Sequence, residues 1–272
     1  MTDAPPTAAA TLLQRASDAF RTVREGDQGP LRCGIDLGTA SCVIVLVDQL
    51  GQPVWVDSRE TAAVRDGVVV DFFAARDAAA ALKADAEQAL GIEILQAATA
   101  HPPGVPASEA AACRFVLESA GIDEVVLTDE VRAASRALGV IDGTIVDVGG
   151  GSTGVGIFRD GKCIVVDDRP GGGHHLDLIL AGALGINSDE ARVLKQKDSA
   201  QYREVLRPGI ERIAASIDAM STDAKDLDVH LAGGAVMVDG TAEVIGATLG
   251  RRVHTYPHSL FITPVGIARS LP

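Results

Sequence analysis

One device occurs twice in this chain and limits the folds open to it. Ile35-Asp36-Leu37-Gly38-Thr39 closes the apolar run CGIDLG, and Val146-Asp147-Val148-Gly149-Gly150 closes TIVDVGGG. Each sets an Asp near the end of a short β-strand, then a tight glycine turn, then a second apolar strand, SCVIVLVD in one case and residues 153–158 in the other. Glycines lack Cβ, so backbone N–H groups can converge there on an anion, and each turn reads as a phosphate cradle. An Asp at the strand end suits Mg²⁺ held largely through waters, because that ion keeps part of its hydration shell. Two such hairpins facing each other would grip one polyphosphate from both sides. A single Asp-x-Gly turn would be read as structural; the tandem pair reverses that reading.

Around the turns the chain alternates. In the first half WVDS and VVVDF continue the strand content, residues 74–90 have a helical pattern, and EILQAATA is a strand leading to HPPGVP. A helix over residues 108–120, the strand DEVVLT and a helix over residues 130–138 follow. In the second half Arg159-Asp160-Gly161 is a hairpin turn into KCIVVD. PGGG opens a helix over residues 174–184, Ser188 caps another with Asp189 and Glu190 in its first turn, and a long helix covers residues 200–219. DVHLAGG is a strand, a helix ends near Gly250, and RRVHTY and PVGIARS come last. Alternation with a hairpin opening each half predicts two α/β lobes.

Residues 1–30 stand apart. Pro5-Pro6 precedes Leu12, Leu13, Ala16, Phe20 and Val23 on one helical stripe, and Gly26-Asp27-Gln28-Gly29-Pro30 interrupts it as a linker does. The stripe admits two readings, a helix packed on its own domain or an amphipathic element that docks on a partner.

Composition narrows the function classes. Hydrophobic residues make up 47% of the 272 positions and aromatics only 3%, so the core must be built from Ala, Val, Ile and Leu. With 24 Lys and Arg against 37 Asp and Glu, a net charge of −13 and no basic run, the chain does not read as a nucleic-acid binder. No stretch approaches the ~20 apolar residues of a membrane helix, and the N-terminus lacks the order of a signal peptide. Cys33, Cys42, Cys113 and Cys163 are far apart with no CxxC pair, and read as core residues of a protein in a reducing cytosol. His174 and His175 would point apart on a helix rather than share a metal.

Residues 149–163 match three unrelated patterns whose contexts reject them. Gly149-x-Gly151-x-x-Gly154 fits a dinucleotide fingerprint and Gly150-x-Ser152-x-Gly154 a nucleophile elbow, yet both require a helix next where a strand follows. Gly156-x-x-x-x-Gly161-Lys162 approaches a P-loop, but Cys163 replaces Ser or Thr within a hairpin. Ser152 is therefore a turn residue or phosphate contact rather than a nucleophile.

GIDLGT, TIVDVGGGST and HLAGGAVMVDG, in that order, resemble the phosphate-1, phosphate-2 and adenosine motifs of the superfamily of sugar kinases, Hsp70 chaperones and actin-like proteins. The stretch from AATAHPPGVP to SRALG resembles the matching part of Hsp70, and PVGIARS resembles its second connecting helix. DGVVVDF and PGGGHHLDLILAGALGI point more narrowly to the ethanolamine-utilisation protein J family of bacterial microcompartment operons.

The resemblance implies a two-lobed actin-like ATPase fold of duplicated ribonuclease-H-like domains, with residues 1–30 as a short N-terminal helical extension. Lobe I would span residues 31–140 and lobe II residues 141–272. It implies ATP (or ADP) and Mg²⁺ as ligands, with Asp36, Gly38 and Thr39 on the β/γ-phosphates and metal. Asp147, Gly149, Gly150, Gly151 and Ser152 would form the opposite cradle, with Asp147 also toward the metal. Glu130 falls where the superfamily has an acid that orients or activates the attacking water; the alternative is an acid favoured by the helix N-terminus. Gly233-Gly234 would admit the adenosine, and Gly172-Gly173 would close on the phosphate side.

The sequence departs from Hsp70 in places. Gly154 stands where Hsp70 has a second acid, Ala214 and Ala215 where basic residues reach adenine, and Met237 where an Arg stacks on it. No residue corresponds to the Hsp70 catalytic lysine, and no peptide-binding domain follows residue 272, so Mg-ATP binding is better supported than rapid hydrolysis or client binding. The expected function is a cytoplasmic, microcompartment-associated ATP-dependent chaperone-like or assembly factor, at most a slow ATPase, acting on microcompartment enzymes or shell proteins. The alternatives are a non-catalytic scaffold or filament protein with a degenerate cleft, and a metabolite kinase, for which no catalytic base or substrate pocket is identified.

Overall fold

Apolar strand runs that turn on glycine build the two sheets of the molecule. A computed structural model describes residues 2–3, 7–26, 29–65 and 68–272; Pro5-Pro6, Asp27-Gln28 of the linker and Asp66-Gly67 of DGVVVDF lie outside them. In chain order come β1 (Thr2–Asp3), α1 (Thr7–Asp18), β2 (Arg32–Leu37), β3 (Ser41–Val47) and β4 (Pro53–Glu60). The two-residue strands β5 (Val64–Arg65) and β6 (Val68–Val69) precede α2 (Phe72–Leu90), β7 (Gln96–His101), α3 (Ala107–Ser119), β8 (Glu124–Asp129) and α4 (Glu130–Leu138). The second half comprises β9 (Gly143–Val148), β10 (Ser152–Arg159), β11 (Lys162–Pro170), α5 (Gly173–Leu184), α6 (Ser188–Lys197) and α7 (Arg203–Met220). It ends with β12 (Val229–Ala232), α8 (Thr241–Leu249), β13 (Val253–His254) and α9 (Ile262–Ala268).

The two sheets share one topology. The first runs β4-β3-β2-β7-β8 and the second β11-β10-β9-β12-β13, with β1 added beside β13. In each, three strands are antiparallel and two more join in parallel: Ile35 pairs Ile44 and Thr99, as Val146 pairs Val155 and Leu231. This is the duplicated, two-lobed architecture of the actin-like ATPases. The aliphatic core that the composition requires fills it, with Ile35, Ile44, Leu82 and Leu117 enclosed beneath the first sheet and Leu176, Leu206, Ile210 and Ile217 beneath the second.

Local chemistry sets the boundaries. Asp71 accepts the Ala74 N–H (3.0 Å) to start α2, and Gly91 ends it in the left-handed region (φ 66°). Of VVVDF only Val68–Val69 is strand, since Asp71 caps the helix that takes up the phenylalanines. Asn187, not Ser188, caps α6, its side chain accepting the Glu190 N–H (2.9 Å). The helix expected from residue 200 is a 3₁₀ turn over Ala200–Tyr202 followed by α7. The cysteines are free thiols; Cys33, Cys42 and Cys113 are buried and Cys163 is half-buried.

The N-terminal stripe is spent inside the molecule only in part: α1 ends at Asp18, so Phe20 and Val23 lie beyond the helix and remain exposed. Leu12, Leu13 and Ala16 are buried against β4 and the segment around Phe261. Beyond the helix the backbone runs along β4: Val56 N–H donates to Ala19 O (3.1 Å), Arg21 N–H to Val56 O (2.8 Å) and Arg24 N–H to Val54 O (2.9 Å). The edge of the first sheet is thereby covered, while β1 pairs with the second sheet. Between the sheets α4 and α9 cross so closely that a Cβ on Gly266 would overlap the Ala133 carbonyl.

Candidate functional site

Equivalent strands carry Asp36 and Asp147 to equivalent positions, each one residue before its strand ends. The turns that follow close alike, Gly38 N–H donating to Ser41 O (3.1 Å) and Gly149 N–H to Ser152 O (3.0 Å). They also meet: a Cβ on Gly150 would lie 3.2 Å from Thr39 Cβ and 3.4 Å from Ala40 N. The two cradles read from sequence therefore face one another.

Three carboxylates converge there. Burial, then the charge of Asp147, pushes Asp36 up to about 7. Glu130, the first residue of α4, is pushed well above the usual carboxylate range by burial and then by Asp147, Asp36, Asp168 and Asp129. Burial also raises Asp147, opposed by the Thr263 hydroxyl, which donates to its Oδ2 from the start of α9. Asp129 differs: it caps α4 by accepting the Arg132 N–H (2.7 Å) and pairs with the Arg132 guanidinium. Among the described residues no Lys or Arg pairs with Asp36, Glu130 or Asp147, so their mutual repulsion calls for a cation. No three His, Cys, Asp or Glu side chains among them are placed to ligate an ion directly. Carboxylates without a countercharge are donors of the chemistry that suits Mg²⁺.

The glycine runs divide the work. Gly171 N–H donates to Gly151 O (2.8 Å), Gly173 N–H to Gly149 O (2.9 Å) and His174 N–H to Gly150 O (2.7 Å). Gly172 packs so tightly on the turn that a Cβ would overlap Gly149 O. Gly172 and Gly173 thus brace the turn from behind, and the Gly173 N–H is committed there. In a trans peptide C=O and N–H point opposite ways, so the N–H groups of Gly150 and Gly151 aim away from that brace. Gly233 sits at φ +90°, where a Cβ would be 2.5 Å from Asp147 Oδ1, whereas Gly234 has only Leu260 Cβ nearby, at 3.9 Å. Met237 is half exposed, Ala214 is in the core and Ala215 is exposed, so the positions at which the resemblance would set basic residues carry no charge here.

Three residues were not read from sequence. Thr263 tethers Asp147. Lys195, buried on α6, donates to Gly173 O (2.7 Å) and pairs with Asp177 (2.6 Å), supporting the brace; the only sequence cue is an Asp inside the apolar run LDLIL. Asp168 lies directly across β10–β11 from Gly154, and a Cβ on Gly154 would be 3.5 Å from its Oδ1. It brings a carboxylate to the place where the chain lacks the Hsp70 acid. A groove of about 1260 Å³ between β4 and α2 lies elsewhere, and its charges are paired, Arg21 with Asp57 (2.6 Å), Arg59 with Asp85 (2.5 Å), Glu60 with Arg192 (3.4 Å) and Asp77 with Arg76 (2.6 Å).

No family model matches the chain. Ethanolamine utilization protein EutJ of Escherichia coli (strain K12) is 36% identical over 259 residues, covering 95% of this chain and 92% of that protein. The crystal structure of ethanolamine utilization protein EutJ from Carboxydothermus hydrogenoformans matches with a TM-score of 0.89 at 40% identity, over 96% of this chain and 97% of that one. MreB5 of Spiroplasma citri bound to AMPPNP matches with a TM-score of 0.70 at 18% identity, over 88% of this chain and 95% of that one, a likeness of fold alone.

Proposed function

Because the chain belongs to the family of ethanolamine utilization protein EutJ, with an actin-like ATPase fold, we propose that it is a Mg-ATP-dependent switch serving ethanolamine or amino-alcohol utilisation. The observation that carries this reading is the meeting of two Asp-bearing glycine turns over carboxylates that lack a countercharge. Gly38, Thr39 and the N–H groups of Gly150 and Gly151 hold the β- and γ-phosphates from opposite sides, while Gly233-Gly234 lets the adenosine approach. Asp36 and Asp147 hold the waters of the metal, with Thr263 fixing Asp147. The ion itself supplies charge neutralisation on the phosphates.

Glu130 positions a water in line with the γ-phosphorus and accepts its proton as the new P–O bond forms and the bond to the bridging oxygen breaks. Turnover is slow, since no Lys or Arg among the described residues stands with these carboxylates. The moving bodies are lobe I (residues 31–140) and lobe II (residues 141–272), closing on ATP about the α4–α9 crossing and reopening after hydrolysis. The partners are microcompartment enzymes or shell proteins, handled in the cytoplasm by a chaperone-like or assembly action.

Calorimetric titration with ATP and Mg²⁺, with turnover assayed on the same sample, tests this. Tight Mg-dependent binding with slow hydrolysis is expected, and Asp36→Ala or Asp147→Ala should weaken it at least tenfold. Unchanged affinity in both variants would sink the reading. The absence of charge at Met237 and Ala215 favours a second one, a scaffold with a degenerate cleft, which no binding at millimolar ATP would establish.

A further inference from the structure

Behind the phosphate-2 turn, between α5 and α7, is a half-enclosed cavity of about 250 Å³, room for about eight waters. Its floor is apolar, with Ile213 buried and Ile179 half-buried, and Leu178 stands half exposed among the lining residues. Its Thr153 hydroxyl is committed to Gly171 O (2.6 Å), but other polar groups of the lining residues are unspent. The His175 Nδ1 is enclosed with no hydrogen-bond partner, and no bond or ion pair of the Arg212 guanidinium or Ser216 hydroxyl is found among the described residues. On the same helix Arg207 is taken by Glu211 (2.9 Å) and Arg203 pairs with Asp239 (3.5 Å).

We propose that this cavity is a second ligand site, for a small organic anion with a short alkyl body. The carboxylate or phosphate head would lie against Arg212 and Ser216, and the alkyl chain over Leu178, Ile179 and Ile213. A concave apolar pocket with a few convergent polar groups is the usual form of a small-molecule site. The wall is wired to the nucleotide turn: Thr153 Oγ1–H donates to Gly171 O (2.6 Å), and Gly171 N–H to Gly151 O (2.8 Å). An occupant that shifts Gly171 therefore shifts Gly151, so the anion and the nucleotide influence each other's binding; this clause alone rests on the nucleotide reading.

The test is calorimetry on the full chain with hexanoate, with butyl phosphate, and with hexanol as the uncharged control. At least one anion should bind at millimolar concentration or below and hexanol at least tenfold more weakly, the two anions deciding which head group is preferred. Arg212→Gln, at an exposed position, should cost that anion at least tenfold without lowering the melting temperature, and Ser216→Leu should block it by filling the pocket. The anion and ADP should change each other's affinity by the same factor, as linkage requires. Failure of both anions to bind, or binding indifferent to Arg212→Gln, overturns the site. Arg212-dependent anion binding in a protein that binds no nucleotide would uphold the site and overturn the nucleotide reading instead.

Discussion

Asp168 reaches the acid cluster because the residue opposite it has no side chain. Gly154 leaves open the space beside Asp168 Oδ1, and a single Asp on β11 stands where one on β10 would crowd Pro103. Asp168→Asn should weaken Mg-dependent ATP affinity about tenfold by calorimetry, and Gly154→Asp combined with Asp168→Gly should fail to restore it, because the β10 side chain meets Pro103. An unchanged affinity in Asp168→Asn would remove Asp168 from the site. A second buried group bears on stability. His230 stacks on His254 (centroids 4.6 Å) and meets the Tyr256 hydroxyl through Nδ1 (2.7 Å), while His254 bonds Asp228 (2.8 Å). Burial, then the neighbouring His254, lowers His230 to about 4. Its unfolded value is about 6.5, so the unfolded chain binds the extra proton between these values. Stability from this residue is complete above pH 6.5 and falls toward pH 4; urea titrations should show that slope in the wild type and lose it in His230→Gln.

At this scale the sequence was half legible. Asp36, Asp147 and Glu130 could be found because each follows a local pattern of strand, turn or helix start. Asp168 could not. Counting back from the Asp160-Gly161 turn pairs Gly154 with Asp167, and a bulge at Ile157/Phe158 shifts the register by one to Asp168. Thr263 and Lys195 act on residues far away in sequence, and nothing local marks them.

Among elements, the α4–α9 crossing is the least tolerant. Gly266 faces the Ala133 backbone, which has no rotamer to yield, and Gly34 packs likewise on the backbone of Ala268. Gly266→Ala should cost about 1–3 kcal/mol by denaturant unfolding, as overpacking does, with reduced nucleotide affinity if lobe closure turns on this contact. An undiminished midpoint would mean that the helices part freely. The ends of α4 agree with the expected residues 130–138 because Asp129 and Gly139 (φ 68°) punctuate them. VVVDF read as strand because it is apolar and β-branched, but Asp71 outweighed that propensity by capping a helix.

For the whole molecule, duplication was visible from the twin turns, and the shared strand order follows from it. The fate of the N-terminal stripe was not visible, since periodicity gives the apolar face of a helix but not what covers it. Deleting residues 1–26 would expose β4 and remove the burial of Leu12 and Leu13, worth about 1.5–3 kcal/mol each. The melting temperature should drop by about 10 °C or more, followed through the lone tryptophan, Trp55, with aggregation through the bared edge. A monomeric, equally stable truncation would free the stripe for a partner.

Pairing β1 with β13 also fixes an order of events during synthesis. Thr2 meets Val253, about 250 residues further along, so β1 must wait for β13. Until then the second sheet lacks its outermost strand, and α1 can settle on β4 but not against Phe261. Native contacts this distant slow folding. The segment of β1 and α1 should therefore stay protease-sensitive during synthesis until β13 has left the ribosome, and become resistant in one late step.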